Sequence, residues 1–153
     1  MNGITLQTVR EGLGMTVADL ARFCATSEER IIRFESDAEP VPEDLSSSLD
    51  RLNALLDSGV ESAVSSLLEG GYREAVLLRF PDNASLSRYR EDFSGLPNTT
   101  HGLYMDRIRR ACARAGIRIH LQMFKESAYL GWLKGEPDSE QARAAWATVA
   151  FYE

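Results

Sequence analysis

MTVADLARFCATSEERIIRFE, residues 15–35, predicts two short helices joined by a tight turn. Thr16 is placed to cap the first helix, and Asp19, three residues on, makes a shortened capping box. Leu20, Ala21 and Phe23 give that helix its apolar side. Ala25 and Thr26 fill the turn. Ser27 caps the second helix, whose inward positions are Ile31 and Phe34.

Upstream, Thr5 is expected to cap a helix over residues 6–14, with Leu6, Val9 and Leu13 at helical spacing and Gly14 as its stop. Downstream, SDAEPVP (residues 36–42) is an acidic loop, and Pro42 suits the first turn of the next helix. From Glu43 the apolar positions are Leu45, Leu49, Leu52, Leu56, Val60, Val64 and Leu67. They predict one long amphipathic helix, or two broken near Asp57-Ser58-Gly59, where glycine lowers helix propensity. The stripe either closes the small helical unit or offers its second half to a partner chain.

Gly70-Gly71 marks a boundary, so two domains are expected, 1–70 and 71–153. Residues 75–80, AVLLRF, fit a buried strand, and residues 84–92 a short helix. Thr99 or Thr100 is expected to cap a helix running to Ala115, with Tyr104, Ile108, Ala111 or Cys112, and Ala115 inward and Gly116 as the stop. Residues 117–123, IRIHLQM, alternate strictly. They predict a half-buried strand with Ile117, Ile119, Leu121 and Met123 inside. Lys125-Glu126-Ser127 is then a hairpin turn into a strand over 128–133. Pro137-Asp138, with Gln141, opens a last helix that faces inward through Ala142, Trp146 and Val149. The fold class expected is an all-α N-terminal domain plus a small C-terminal α+β domain.

In register, Thr16, Leu20-Ala21, Ala25, Ser27, Ile31 and Phe34-Glu35 resemble the helix-turn-helix of the lambda-repressor-like (Xre/Cro) family. That resemblance implies a DNA-reading second helix. It also implies an ion pair between Arg10 of the first helix and Glu35. A looser similarity extends to small bacterial helix-turn-helix proteins, among them an uncharacterised enterobacterial group and repressors associated with anti-CRISPR genes. It rests on Met1-Asn2, Leu6-Gln7, Arg10, Met15-Thr16 and Arg79-Phe80-Pro81-Asp82. It implies that the second domain dimerises the protein. Val17, Glu28, Glu29 and Asp37 depart from the Xre pattern, which often has Gln in place of Val17 and Gly in place of Asp37.

With Ile31 and Phe34 inward, the residues left to meet double-stranded DNA are Thr16, Ser27, Glu28, Glu29, Arg30, Ile32 and Arg33. Arg33 or Arg30 suits a bidentate contact to guanine, Ile32 a thymine methyl, and Ser27 with the helix N-terminus a phosphate. The carboxylates of Glu28 and Glu29 suit the helix macrodipole but face phosphates badly. One of them is able to accept from a cytosine amine. Charge counts against nucleic acid: residues 1–56 hold five arginines against ten carboxylates, and the whole chain is −6. The basic residues gather elsewhere. Arg107, Arg110 and Arg114 share one helix face, with Arg109 and Arg118 nearby. This patch is a solvated stripe, a second phosphate contact or a dock for an acidic protein.

At 44% hydrophobic and 26% charged, the chain is expected to bury a core. No apolar run approaches the roughly 20 residues of a membrane span, and the opening residues lack the apolar core of a signal peptide. Cys24 and Cys112 are far apart in sequence, so a reduced, cytoplasmic protein is expected. His101 and His120 have no metal-ligand spacing, and no phosphate loop, dinucleotide fingerprint or nucleophile elbow occurs. Neither a metal, a cofactor nor enzyme activity is expected. Two functions follow as candidates: a homodimeric transcriptional regulator reading a palindrome, or an antitoxin- or adaptor-type interaction module that keeps the fold without binding DNA.

Overall fold

The computed structural model describes residues 1–153. Three short helices begin the chain: α1 (Gly3–Gly12), α2 (Val17–Phe23) and α3 (Glu28–Glu35). Each starts on a side-chain cap. Asn2, rather than Thr5, caps α1 by accepting the Thr5 N–H at 3.0 Å, so the helix begins three residues earlier than expected. Thr16 and Asp19 form a reciprocal capping box, and Ser27 accepts the Arg30 N–H. Ala25 takes up a left-handed φ of 51° in the α2–α3 turn. Arg10 donates to Glu35 through Nε at 2.5 Å and Nη2 at 3.2 Å, and through Nη1 to the Met15 carbonyl at 2.9 Å. The Glu35 hydrogen bond raises the Arg10 pKa further. This fork ties α1 to α3. Gly3 makes the same junction tight, since a Cβ there would stand 2.4 Å from the Glu35 carbonyl oxygen.

α4 (Glu43–Glu69) is one unbroken helix of 27 residues with Pro42 at its cap position. Gly59 does not break it; the Tyr104 ring lies against that glycine. Leu45, Leu49, Leu52 and Leu56 bury against the first three helices. Val60, Ala63, Val64 and Leu67 continue the stripe onto a second apolar cluster of the same chain: Met105, Ile108, Cys112, Ile117 and Ile119. The second half of the stripe is therefore occupied within the chain.

The remainder holds β1 (Glu74–Arg79), α5 (Asn83–Tyr89), a 3₁₀ turn (Glu91–Phe93), α6 (Asn98–Arg114), β2 (Arg118–Met123), α7 (Glu126–Leu133) and α8 (Glu140–Tyr152). β1 and β2 pair in parallel, Glu74 opposite Arg118 through Arg79 opposite Met123. A parallel pair needs a long crossover, here α5 and α6. The molecule is thus mostly helical with one small two-stranded sheet.

Five expectations for this half are corrected. Residues 128–133 are not a hairpin strand but the body of α7, whose Tyr129 and Leu133, four residues apart, face inward. Leu121 and Met123 of β2 are exposed, because α6 covers only the Ile119 end of that face. Neither Thr99 nor Thr100 caps α6, which has Pro97 at its cap position. Their hydroxyls instead donate to the carbonyls of Gly14 (2.5 Å) and Leu13 (2.6 Å). Ala115 is correspondingly exposed just beyond the helix. Ser139, not Pro137-Asp138, caps α8, leaving the Asp138 carboxylate to accept from Tyr129 and Arg143, each at 2.5 Å.

The core is continuous across both halves. Leu6, Leu20, Ile31, Phe34 and Leu49 belong to the same cluster as Phe80, Leu86, Phe93, Phe124, Tyr129 and Trp146. His101 is buried beside this cluster, its ring 4.9 Å from that of Phe93 and 5.4 Å from that of Phe80. Neither of its nitrogens has a hydrogen-bond partner.

Candidate nucleic-acid interface

α3 is amphipathic over two turns. Ile31 and Phe34 are buried, while Ser27, Glu28, Glu29, Arg30, Ile32 and Arg33 are exposed. Ile32 is 56% exposed, high for an isoleucine. The structure thus brings these six residues together on or beside one outward face. Thr16 is exposed as well, but its hydroxyl is engaged in the α2 cap.

The acidic loop after α3 is not free charge. Asp37 occupies the left-handed position after the helix, with φ 58°, and its carboxylate accepts the Gly3 N–H at 2.7 Å. The N–H groups of Ala38 and Glu39 both donate to the Arg33 carbonyl, at 2.9 and 3.2 Å. Glu39 then folds back on the helix. Its carboxylate lies 3.1 Å from Arg33 Nη2 and 3.5 Å from Arg30 Nε. Both arginines remain half exposed. Arg30 also leans over the Phe34 ring, 5.2 Å from its centroid, into a crevice bounded by Phe23, Cys24, Pro42 and Leu45. The two are about equally exposed, at 55% for Arg30 and 51% for Arg33, and Arg30 is the one that lies over a ring. The sequence reading missed Glu39; an acid shortly after two arginines was the available signal.

The second basic patch behaves differently. Arg107, Arg110 and Arg114 line an open groove of about 740 Å³ between α4 and α6, together with Asp57 and Glu61. Arg107 donates to Asn53 at 3.2 Å and Asp57 at 3.4 Å. Arg109 and Arg110 pair with Asp106, and their hydrogen bonds and charge lower its pKa. Arg114 forms no ion pair within 4 Å and stays outward, as does Arg118. Part of the patch therefore fastens α6 to α4.

Burial raises the pKa of both thiols, Cys24 and Cys112, which makes them poor nucleophiles. His120 pairs with Glu74 and stacks on Phe151, 4.4 Å between centroids. No helix is long and apolar enough to cross a membrane.

Comparison with protein-family models and with curated proteins finds no match in either.

Proposed function

We propose that the protein is a sequence-specific transcriptional regulator that lays α3 in the DNA major groove, α2 and α3 forming its helix-turn-helix. The observation that carries this is the outward face of α3. It is capped at Ser27, braced from behind by the Arg10–Glu35 fork, and presents Ile32 exposed and Arg33 half exposed beside Glu39. Such a face matches the requirement for donors and an apolar contact on one rigid helix. Ser27 and Thr16 sit at the N-terminal ends where phosphates would run. A homodimer would read two half-sites about 10 base pairs apart, or a multiple of that. The full chain should then sediment as a dimer at the concentrations that bind DNA.

Selection from random duplexes tests the proposal. The wild type should enrich a palindrome, and Arg33→Glu should lose it. No enrichment at low salt, where phosphate contacts are strongest, would overturn the assignment.

A second reading is favoured by a specific observation: Glu28 and Glu29 stand exposed at the N-terminal end of α3. An interaction module of antitoxin or adaptor type would use that acidic end, or the Arg110–Arg114 side of the groove, on a protein partner. That module would bind no duplex at any salt concentration.

A further inference from the structure

We infer that Glu39 is a specificity-determining residue of the proposed interface, positioning Arg33 for one base. The inference rests on the DNA-reading role proposed for α3 and assigns a new function to a loop acid.

Direct readout of a guanine by arginine needs the planar guanidinium held in one orientation. A free arginine on an exposed helix samples many rotamers, and fixing them on binding weakens the contact. Here one end of the guanidinium is tethered beforehand, by an ion pair at 3.1 Å. Glu39 is fixed by its own backbone, since its N–H and that of Ala38 end on the Arg33 carbonyl. The loop is fixed again by Asp37 on Gly3. Its carboxylate then spans both arginines, taking one nitrogen from each. Arg33 contributes Nη2 and keeps its other N–H groups for a base edge. An ion pair this exposed adds little to global stability; its consequence is a bias of Arg33 toward the rotamer that meets Glu39.

Glu39 has a second effect of opposite sign. Its charge repels phosphates and so lowers affinity for every duplex alike. Removing the charge should therefore tighten unspecific binding while it weakens discrimination. A residue with only a structural role moves neither quantity, and one that merely blocks the site moves both duplexes together.

The test uses the full chain, the duplex selected by the wild type, and variants of that duplex with each guanine replaced by adenine. Anisotropy titrations compare wild type, Arg33→Ala and Glu39→Gln, the last keeping side-chain length while removing the charge. Glu39→Gln should lose about tenfold of discrimination, within the range one bidentate arginine contributes. The loss should fall at the base pair to which Arg33→Ala also becomes indifferent. The same variant should bind an unrelated duplex more tightly, with a steeper salt dependence. Unchanged discrimination, or an equal gain on all duplexes, overturns the role of Glu39 and leaves the DNA-reading proposal standing. A wild type that selects no duplex overturns both.

Discussion

Acid should destabilise this fold between pH 7 and pH 5 through one side chain, His101. Its imidazole is wholly buried, with no partner on either nitrogen. That burial, helped by the charges of Arg90 and Arg79, pushes its pKa down from 6.5 to about 3. The unfolded chain takes up the proton near 6.5, and the folded chain does so only near 3. Between those values the unfolded state binds more protons, so stability rises with pH and is lost as pH falls below 6.5. Each pH unit in that window corresponds to about 1.4 kcal/mol. From pH 7 to pH 5 the loss is about 2 kcal/mol, a shift of about 1 M in urea midpoint for an m value of about 2 kcal/mol per M. Urea titrations at the two pH values provide the assay, comparing wild type with His101→Leu. Both carry His120→Asn so that the other histidine is silent. The leucine variant should lose the difference between the two pH values. An equal difference in both proteins would refute the argument that a neutral, unpartnered imidazole causes it.

Two further outcomes concern stability. Glu35→Gln leaves the Arg10 charge largely buried with only the more distant, exposed Glu11 beside it and should cost about 3–5 kcal/mol. Arg10→Met combined with Glu35→Leu should recover most of that in chemical denaturation; a double variant as weak as the single one would show that the unpaired charge is not the cause. Thr100→Val keeps the side-chain shape but deprives the Leu13 carbonyl of its donor. It should cost about 1–3 kcal/mol, read as a lowered thermal midpoint.

The local grammar of α2 and α3 was legible because it is short-range. Thr16 with Asp19, and Ser27, lie within three residues of the N–H groups they serve. The Arg10–Glu35 pair was accessible only through the family resemblance, since nothing in the spacing of residues 25 apart requires it. The second half was harder for the same reason. The apolar run of residues 128–133 is equally consistent with strand and helix, and only packing against α8 and the aromatic cluster decides for helix. Thr99 and Thr100 look like caps in sequence. Their actual acceptors lie 85 and 87 residues away, and no local pattern encodes that distance. On the interface, exposure of Arg33 and Ile32 followed from periodicity. Engagement of the arginines by Glu39 depends on a left-handed Asp37, a conformation that residue type alone does not dictate.

The two threonine hydroxyls on Leu13 and Gly14 also bear on the order of synthesis. The corner between α1 and α2 is made before the donors that complete it, which arrive 85 residues later. At ribosomal rates of about 5–20 residues per second, that gap lasts about 4–17 s. During this interval the nascent helices can form and associate through Leu6, Leu20 and Phe34, but their corner carbonyls remain hydrated. α2 and α3 thus emerge before the contacts that lock the corner ahead of them. Until α6 is made, the α1–α2 corner lacks both of these donors.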